Sequence, residues 1–140
     1  MKTRLTFVVL TGVFAASLFT AVGAQAPGSV LAGVYTAEQA KRGATLYAEN
    51  CAGCHGDNLA GNDPIPTLSG AEFQGKWKNV GELFDKTSTS MPAMAPGSLT
   101  GAQVADVLAH VLSVNKYPAG STELASKVEP LTLIKIEPAK

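Results

Sequence analysis

Hydrophobic positions recur with helical spacing in two segments of the chain, residues 36–50 and residues 100–115. In the first segment, small and apolar positions fall at i, i+3, i+4 and i+7, on one helix face. They are Ala40, Gly43, Ala44 and Tyr47. In the second segment, apolar positions form a regular stripe that repeats every three or four residues. They are Val104, Val107, Leu108, Val111 and Leu112. Both patterns predict amphipathic helices.

Polar residues mark the start of both predicted helices. Thr36 and Thr100 are good N-caps. A glutamine follows each of them three residues later, at Gln39 and Gln103, which predicts two capping boxes. Gly43 lies on the apolar face of the first helix, where glycine costs helix stability relative to alanine. We therefore expect another helix to cross closely at Gly43.

Glycines and prolines dominate the chain between these helices. Their density in residues 56–81 predicts a long loop with short helical turns, and such a loop in a small domain usually serves a site. One short helix is predicted over residues 81–88, with Leu83 and Phe84 facing inward, and a proline-rich loop follows over residues 89–99. The order helix, long loop, short helix, loop, helix predicts an all-α fold with three to four helices.

The N-terminus has the pattern of a secretory signal. Lys2 and Arg4 precede an uncharged apolar run over residues 5–22, and a small-x-small site follows at residues 24–26. This pattern favours a cleaved signal peptide over residues 1–26 and a periplasmic location. The alternative is an uncleaved anchor, since the run is about long enough for a thin bilayer core, but polar residues and glycine dilute it.

The rest of the chain divides into three parts. We predict an N-terminal arm over residues 27–35, a helical domain over residues 36–120 and a C-terminal tail over residues 121–140. The tail carries apolar residues, including Leu131, Leu133 and Ile136, that have no evident place in a helical core.

Composition narrows the range of functions. The 140 residues include 11 basic and 11 acidic side chains, a balance that argues against a nucleic-acid binder. Loss of the signal peptide removes two basic residues and leaves the mature chain slightly acidic. Its apolar content is lean for a small domain that must bury its own core, so a prosthetic group would add to that core. Cys51 and Cys54 lie too close together in sequence to join distant segments by a disulfide bond, which excludes a fold held together by many disulfides.

The two cysteines belong to a C-A-G-C-H sequence over residues 51–55, a pattern typical of c-type haem attachment. Two thiols one helical turn apart can each form a thioether with a porphyrin vinyl group, and His55 is then held beside the iron as an axial ligand. A thioredoxin-like site would begin a helix within a βαβ pattern, and a structural zinc site needs four ligands. We predict one haem c, bound covalently through Cys51 and Cys54 and ligated by His55.

The second axial ligand decides the chemistry, and the candidates are Met91, Met94 and His110. Met/His ligation raises the reduction potential and suits electron transfer, whereas an open sixth position permits small-molecule chemistry. Met91 precedes Pro92, which favours an extended backbone that can lay the thioether across a porphyrin face. Met91 is the preferred ligand. Met94 lies in the same loop, and His110 lies at the edge of the last helix's apolar stripe.

In their order along the chain, these motifs resemble a class I monohaem cytochrome c. The resemblance covers residues 36–120 and rests on Cys51-Ala-Gly-Cys-His55-Gly56, Pro66-Thr67-Leu68, Trp77, Met91-Pro92 and a final amphipathic helix. The segment over residues 91–120 is similar to cytochrome c domains associated with periplasmic quinoprotein dehydrogenases. The family crosses its first and last helices at a glycine–aromatic contact, which would account for Gly43. His110 stands where the family often has an aromatic residue.

The resemblance implies a cytochrome c fold, with long loops around one haem, and roles for three further residues. The counterpart of Pro66 offers its carbonyl to the ring N–H of the proximal histidine, here His55. The counterpart of Leu68 packs on the haem, and that of Trp77 lies near a haem propionate.

The function implied by the resemblance is electron transfer in the periplasm rather than enzymatic catalysis. One electron would pass between a dehydrogenase or quinol-oxidising complex and an oxidase or another cytochrome. Lys76, Lys78 and Lys86 either steer acidic redox partners to an exposed haem edge or form an ordinary solvated loop.

Three alternative functions stay open. One is a peroxidase-like haem enzyme or gas sensor with an open sixth position, and another is a fixed subunit of a larger dehydrogenase complex. The third is a thiol oxidoreductase with two free thiols and no haem. We expect no nucleic-acid partner and no stable membrane insertion after signal cleavage, and we expect a monomer or a subunit of a complex.

Overall fold

The computed structural model describes residues 28–139, so the predicted signal peptide over residues 1–26 lies outside the described residues. The described elements are a 3-10 helix Val30–Ala32 and the α-helices α1 Ala37–Asn50, α2 Ala52–His55, α3 Gly70–Lys76, α4 Val80–Ser90, α5 Gly101–Val114 and α6 Val128–Leu131. Over residues 28–139 the chain forms isolated β-bridges but no strand. The all-α prediction is confirmed, although the described residues form six α-helices where three to four were predicted. None of the described helices combines the length and apolar character needed to cross a membrane.

The two long helices, α1 and α5, cross at Gly43. A Cβ on Gly43 would lie 1.8 Å from the carbonyl oxygen of Asp106, so only glycine fits. Beside the crossing, the rings of Tyr47 and His110 pack with their centroids 5.2 Å apart. The Arg42 guanidinium on α1 donates two hydrogen bonds of 2.9 Å to the Asp106 carboxylate on α5, and these bonds link the two helices at the crossing. The predicted close crossing is confirmed, and His110 takes the place of an aromatic residue in it.

Both predicted N-caps are present, but only one of the two capping boxes closes. The Gln103 side chain accepts a hydrogen bond from the Thr100 N–H at 2.9 Å and completes the box at α5. At α1, Thr36 accepts from the Gln39 N–H at 3.1 Å. The Gln39 side chain instead pairs with the backbone of Leu124, donating at 3.1 Å and accepting at 2.7 Å. Gln39 therefore ties α1 to the tail.

The segment between α1 and α5 contains more helix than its glycine and proline content predicts. α4 begins one residue before the predicted short helix and runs to Ser90, with both predicted inward residues buried. The predicted loop over residues 56–81 contains α3, which is anchored by the buried ring of Phe73. Gly70 and Gly75 lie within α3. Because glycine is usually counted as a helix-breaking residue, a prediction from sequence places a loop there.

The N-terminal arm and the C-terminal tail pack into the core, so the expectation that the tail's apolar residues lack a place there is wrong for Leu131 and Ile136, whereas Leu133 is 64% exposed. Buried side chains from these two segments join the helices in one cluster: Val30, Val34, Tyr35, Leu124, Leu131, Ile134 and Ile136. The Lys135 N–H donates to the Gly28 carbonyl at 3.1 Å, and the Lys135 carbonyl accepts from the Val30 N–H at 3.0 Å. Both ends of the described chain therefore belong to one fold.

Burial at the α1–α5 crossing lowers the pKa of His110 from its usual 6.5. As the pH falls, the unfolded chain therefore takes up this proton before the folded protein does. We expect the free energy of unfolding to decrease between about pH 7 and pH 5, by about 1.4 kcal/mol for each unit of pKa difference. His110→Phe should remove that part of the decrease. Thermal unfolding over this pH range measures it, and identical pH profiles for the two proteins would contradict the prediction.

Candidate functional site

A largely apolar cavity of about 500 Å³ opens between α2, the loop over residues 65–68, α3, α4, the loop after α4, and α5. All seven predicted site residues line it: Cys51, Cys54, His55, Pro66, Leu68, Trp77 and Met91. Its volume lies within the range of pockets that hold small molecules and cofactors. The fold therefore gathers separate parts of the chain around one space.

The C-A-G-C-H segment begins where α1 ends and forms the single turn α2. The Cys51 N–H donates to the Tyr47 carbonyl at 2.8 Å, and the Cys51 carbonyl accepts from the N–H groups of Cys54 and His55. Both cysteines are free thiols that line the cavity, Cys51 half-buried and Cys54 exposed. This turn presents two thiols and an imidazole to the same cavity.

The imidazole of His55 is oriented by the backbone of Pro66. His55 Nδ1 lies 3.0 Å from the Pro66 carbonyl oxygen. A carbonyl oxygen only accepts hydrogen bonds, so in the neutral ring Nδ1 carries the proton and Nε2 keeps its lone pair. His55 is only 9% exposed. The contact that the resemblance implies is present, and it selects the tautomer that a metal ligand requires.

The loop that carries Pro66 and Leu68 is held at both ends. At its start, Gly61 has a φ of +63°, and its N–H donates to the His55 carbonyl at 2.8 Å. At its end, the buried Asn115 side chain donates to the Leu68 carbonyl and accepts from a backbone N–H two residues further on, both at 2.9 Å. Sequence reasoning missed Asn115, because an asparagine at a helix end carries no sign that its side chain is buried.

Trp77 carries an unpaired, buried hydrogen-bond donor beside the cavity. Trp77 and Leu68 both line the cavity with half-buried side chains. The Trp77 indole Nε1 is buried and makes no hydrogen bond within the described residues. Buried donors are normally paired, so this N–H suits an acceptor, such as a carboxylate, that belongs to a bound group.

Met91 and Met94 both border the cavity from the loop that follows α4. Met91 caps α4 through its N–H, which donates to the Thr87 carbonyl, and its backbone is extended, with φ −123° and ψ 151°. The Met91 side chain is half-buried, whereas Met94 is 93% exposed. His110 lies instead at the α1–α5 crossing. Burial favours Met91 over Met94 as the second ligand, and that role stays a prediction.

The three predicted steering lysines are all exposed. Lys76 and Lys86 line the cavity together with Glu49, and Lys78 lies in the link between α3 and α4. The Lys76 ammonium also lies 5.5 Å from the centroid of the Trp77 ring. Two of the three lysines are thus placed where a charged partner would meet the cavity mouth.

The environment of Cys51 argues against thiol–disulfide chemistry. Burial raises the pKa of the Cys51 thiol, and the neighbouring Cys54 raises it further. Thiol oxidoreductases need a nucleophilic cysteine with a lowered pKa. The Cys51 thiol is therefore less nucleophilic than the reactive cysteine of such an enzyme.

The helical fold and the thiol–imidazole turn on an apolar cavity define a c-type cytochrome domain. The chain belongs to the family described as cytochrome C oxidase, cbb3-type, subunit III, whose model matches residues 38–111. The predicted cytochrome c class and fold are confirmed.

The structure is similar to the crystal structure of the sulfane dehydrogenase SoxCD from Paracoccus pantotrophus. The TM-score is 0.56 and the sequence identity 24%, over 75% of this chain and 53% of that chain. This chain thus spans about half the length of its structural match, and the likeness shows the fold alone. None of the curated proteins matches the sequence.

The haem c that this family implies fits the residues that line the cavity. Cys51 and Cys54 offer two free thiols, and His55 offers a lone pair at Nε2. The walls are largely apolar, and the Trp77 donor lacks a partner among the described residues. These are the groups that a covalently attached porphyrin with carboxylate substituents needs.

Proposed function

We propose that this protein is a periplasmic electron carrier that holds one haem c through thioether bonds to Cys51 and Cys54, with His55 and Met91 as axial ligands. The observation that carries the proposal is the 3.0 Å contact between His55 Nδ1 and the Pro66 carbonyl, on the wall of an apolar cavity that Met91 also borders. A His/Met pair favours electron transfer over small-molecule chemistry.

A bound haem c supplies a one-electron Fe(III)/Fe(II) couple. The residues around it influence the reorganisation that accompanies electron transfer and the reduction potential. Pro66 fixes the His55 ring, so that little reorganisation accompanies a change of charge. Val107, Leu108 and Val111 on α5 line the cavity and exclude water from it. An apolar wall disfavours the more charged ferric form and so raises the reduction potential.

The visible absorption spectrum of the holoprotein in both redox states tests the proposal. We expect low-spin spectra in both states and the weak red Met–iron band in the oxidised state, because Met91 completes the coordination of the iron. The double variant Cys51→Ala/Cys54→Ala is the control, and it should retain no haem after denaturing electrophoresis.

The same sample tests the export and the single haem through its intact mass, which should equal residues 27–140 plus one haem. High-spin features without the red band would instead favour the haem enzyme or gas sensor.

The buried tail bears on the alternative of a fixed dehydrogenase subunit. That alternative rests on the tail's apolar residues. Leu131, Ile134 and Ile136 are at most 7% exposed within this chain and need no partner subunit to bury them, whereas Leu133 is 64% exposed. This burial favours a carrier that associates transiently with redox partners.

We also propose that the partners present acidic surfaces to the cavity mouth, because Lys76 and Lys86 line it. Hexacyanoferrate(III), a small trianionic oxidant, serves as the probe for oxidation of the reduced protein. Its rate should fall with rising ionic strength and fall further in Lys86→Gln, since both changes weaken electrostatic steering.

Lys41→Gln, an exposed position on α1, is the matched control for charge and should have a smaller effect. Equal effects of Lys86→Gln and Lys41→Gln would argue that the oxidation rate depends on the net charge of the protein and not on charge at the cavity.

A further inference from the structure

The last part of the tail holds the link between α3 and α4. Residues 134–136, here called the strap, run beside this link and exchange two backbone hydrogen bonds with it. The Ile136 N–H donates to the Lys78 carbonyl at 3.2 Å, and the Val80 N–H donates to the Ile134 carbonyl at 2.9 Å. The link is therefore paired with a segment from the far end of the chain.

The strap is itself fixed from other directions. Its opposite edge is bonded to the N-terminal arm at Gly28 and Val30. Beyond the strap, the Ala139 N–H donates to the Gln74 side-chain oxygen at 3.2 Å, which ties the tail to α3. The side chains of Ile134 and Ile136 are buried in the core, 6% and 7% exposed. These contacts fix the position of the strap, so that it can hold the link between α3 and α4 in place.

The link begins with Trp77, the residue whose buried indole N–H is unpaired in the described structure. α3 ends at Lys76 and α4 begins at Val80, so no helix fixes the backbone of Trp77 to Asn79. The strap supplies the hydrogen bonds that a helix would otherwise provide. The direction of the Trp77 side chain at the cavity thus depends on residues about sixty positions further along the chain.

We propose that the strap is a positioning element, which holds the Trp77 indole N–H where it donates to a carboxylate of the bound haem. The inference rests on the proposed function. A carboxylate near the iron stabilises the ferric form, and a donor that bonds the carboxylate weakens this effect. By holding Trp77 in place, the strap therefore raises the reduction potential.

Val80→Pro is the variant that separates the strap from the link. Proline at Val80 removes the N–H that bonds the Ile134 carbonyl, yet Val80 is the first residue of α4, where proline is well tolerated. The preceding Asn79 is extended, as a residue before proline should be. Val80→Ala is the matched control, because it also shortens the buried side chain but keeps the N–H.

Two measurements on the holoprotein report on the position of Trp77. The first is the reduction potential. The second is the same potential in a Trp77→Phe background, where the indole donor is absent.

We expect Val80→Pro to lower the potential, while Val80→Ala leaves it unchanged. The double variant Trp77→Phe/Val80→Pro should have the same reduction potential as Trp77→Phe alone.

The outcomes separate this inference from the proposed function. A wild-type protein without the low-spin, Met-ligated spectrum overturns the proposed function, and the inference with it. With that spectrum intact, an equal shift of potential in the Trp77 and Trp77→Phe backgrounds, or an unchanged potential in Val80→Pro, overturns the inference alone. If Val80→Pro yields no folded holoprotein, Gln74→Ala decides by the same two measurements, since it loosens the tail at α3 without touching the core.

Discussion

Met91→Ala is expected to abolish the red Met–iron band of the oxidised protein and to lower its reduction potential. The thioether is a soft ligand that favours the ferrous state, so its loss should cost a substantial part of the roughly 0.8 V range that axial ligands span. Met91 should be the residue responsible, because it is half-buried at the cavity and its extended backbone follows directly from the end of α4. Absorption spectroscopy and a potentiometric titration measure the two effects.

Met94→Ala is the matched control, because Met94 lies three residues away in the same loop. Its side chain is 93% exposed, so its removal should leave the band and the potential nearly unchanged. The opposite pattern, with the band lost only in Met94→Ala, would show that the loop rearranges to bring Met94 to the iron. That result would make the assignment of Met91 wrong.

Gly43→Ala is expected to destabilise the protein strongly. The added Cβ would lie 1.8 Å from the Asp106 carbonyl oxygen, a backbone atom that moves only if α1 and α5 separate. We expect the free energy of unfolding to fall by about 3 kcal/mol or more, and Tm to fall by on the order of 10 °C. Chemical and thermal denaturation of the holoprotein measure both quantities.

Gly75→Ala makes the same chemical change where space is free. Gly75 is an exposed residue of α3, and a Cβ there meets nothing within 4 Å. Alanine should therefore stabilise the protein by about 0.5–1 kcal/mol through helix propensity. If Gly43→Ala proved as harmless as Gly75→Ala, the tight contact between α1 and α5 would not exist in solution.

The long helices could be predicted from sequence because their apolar spacing and caps are local signals. The stripe Val104 to Leu112 is buried throughout, and Thr100 begins α5 as its capping box indicates. Gln39 shows the limit of such reasoning. Its spacing from Thr36 is that of a capping box, but its side chain forms two hydrogen bonds to Leu124, a partner that no local pattern identifies.

The candidate site could be predicted at residues whose chemistry is tied to a short motif. C-A-G-C-H and Met91-Pro92 identify thiols, an imidazole and a thioether, and the structure brings them to one cavity. Asn115 escaped prediction because its function is to bond backbone groups of a distant loop. Such contacts depend on the tertiary fold rather than on the residue's neighbours in sequence.

The tail gave a weak signal of its own. Ile134 and Ile136 alternate with Lys135 and Glu137, which is the period of an extended segment with one buried face. The alternation is too short to identify a partner, and the arm at Val30 is equally short. Two short segments that complete each other are therefore hard to recognise before the fold brings them together.

The pairing of the arm with the tail also constrains the order in which the chain folds. Ser29 donates a side-chain hydrogen bond to Glu137, 108 positions away, so this contact joins the earliest and latest described parts of the chain. Closing so long a loop costs conformational entropy, and contacts of high sequence separation form late. The helices and the cysteine turn can assemble from residues 37–114, but the strap can close only once both ends of the described chain are available.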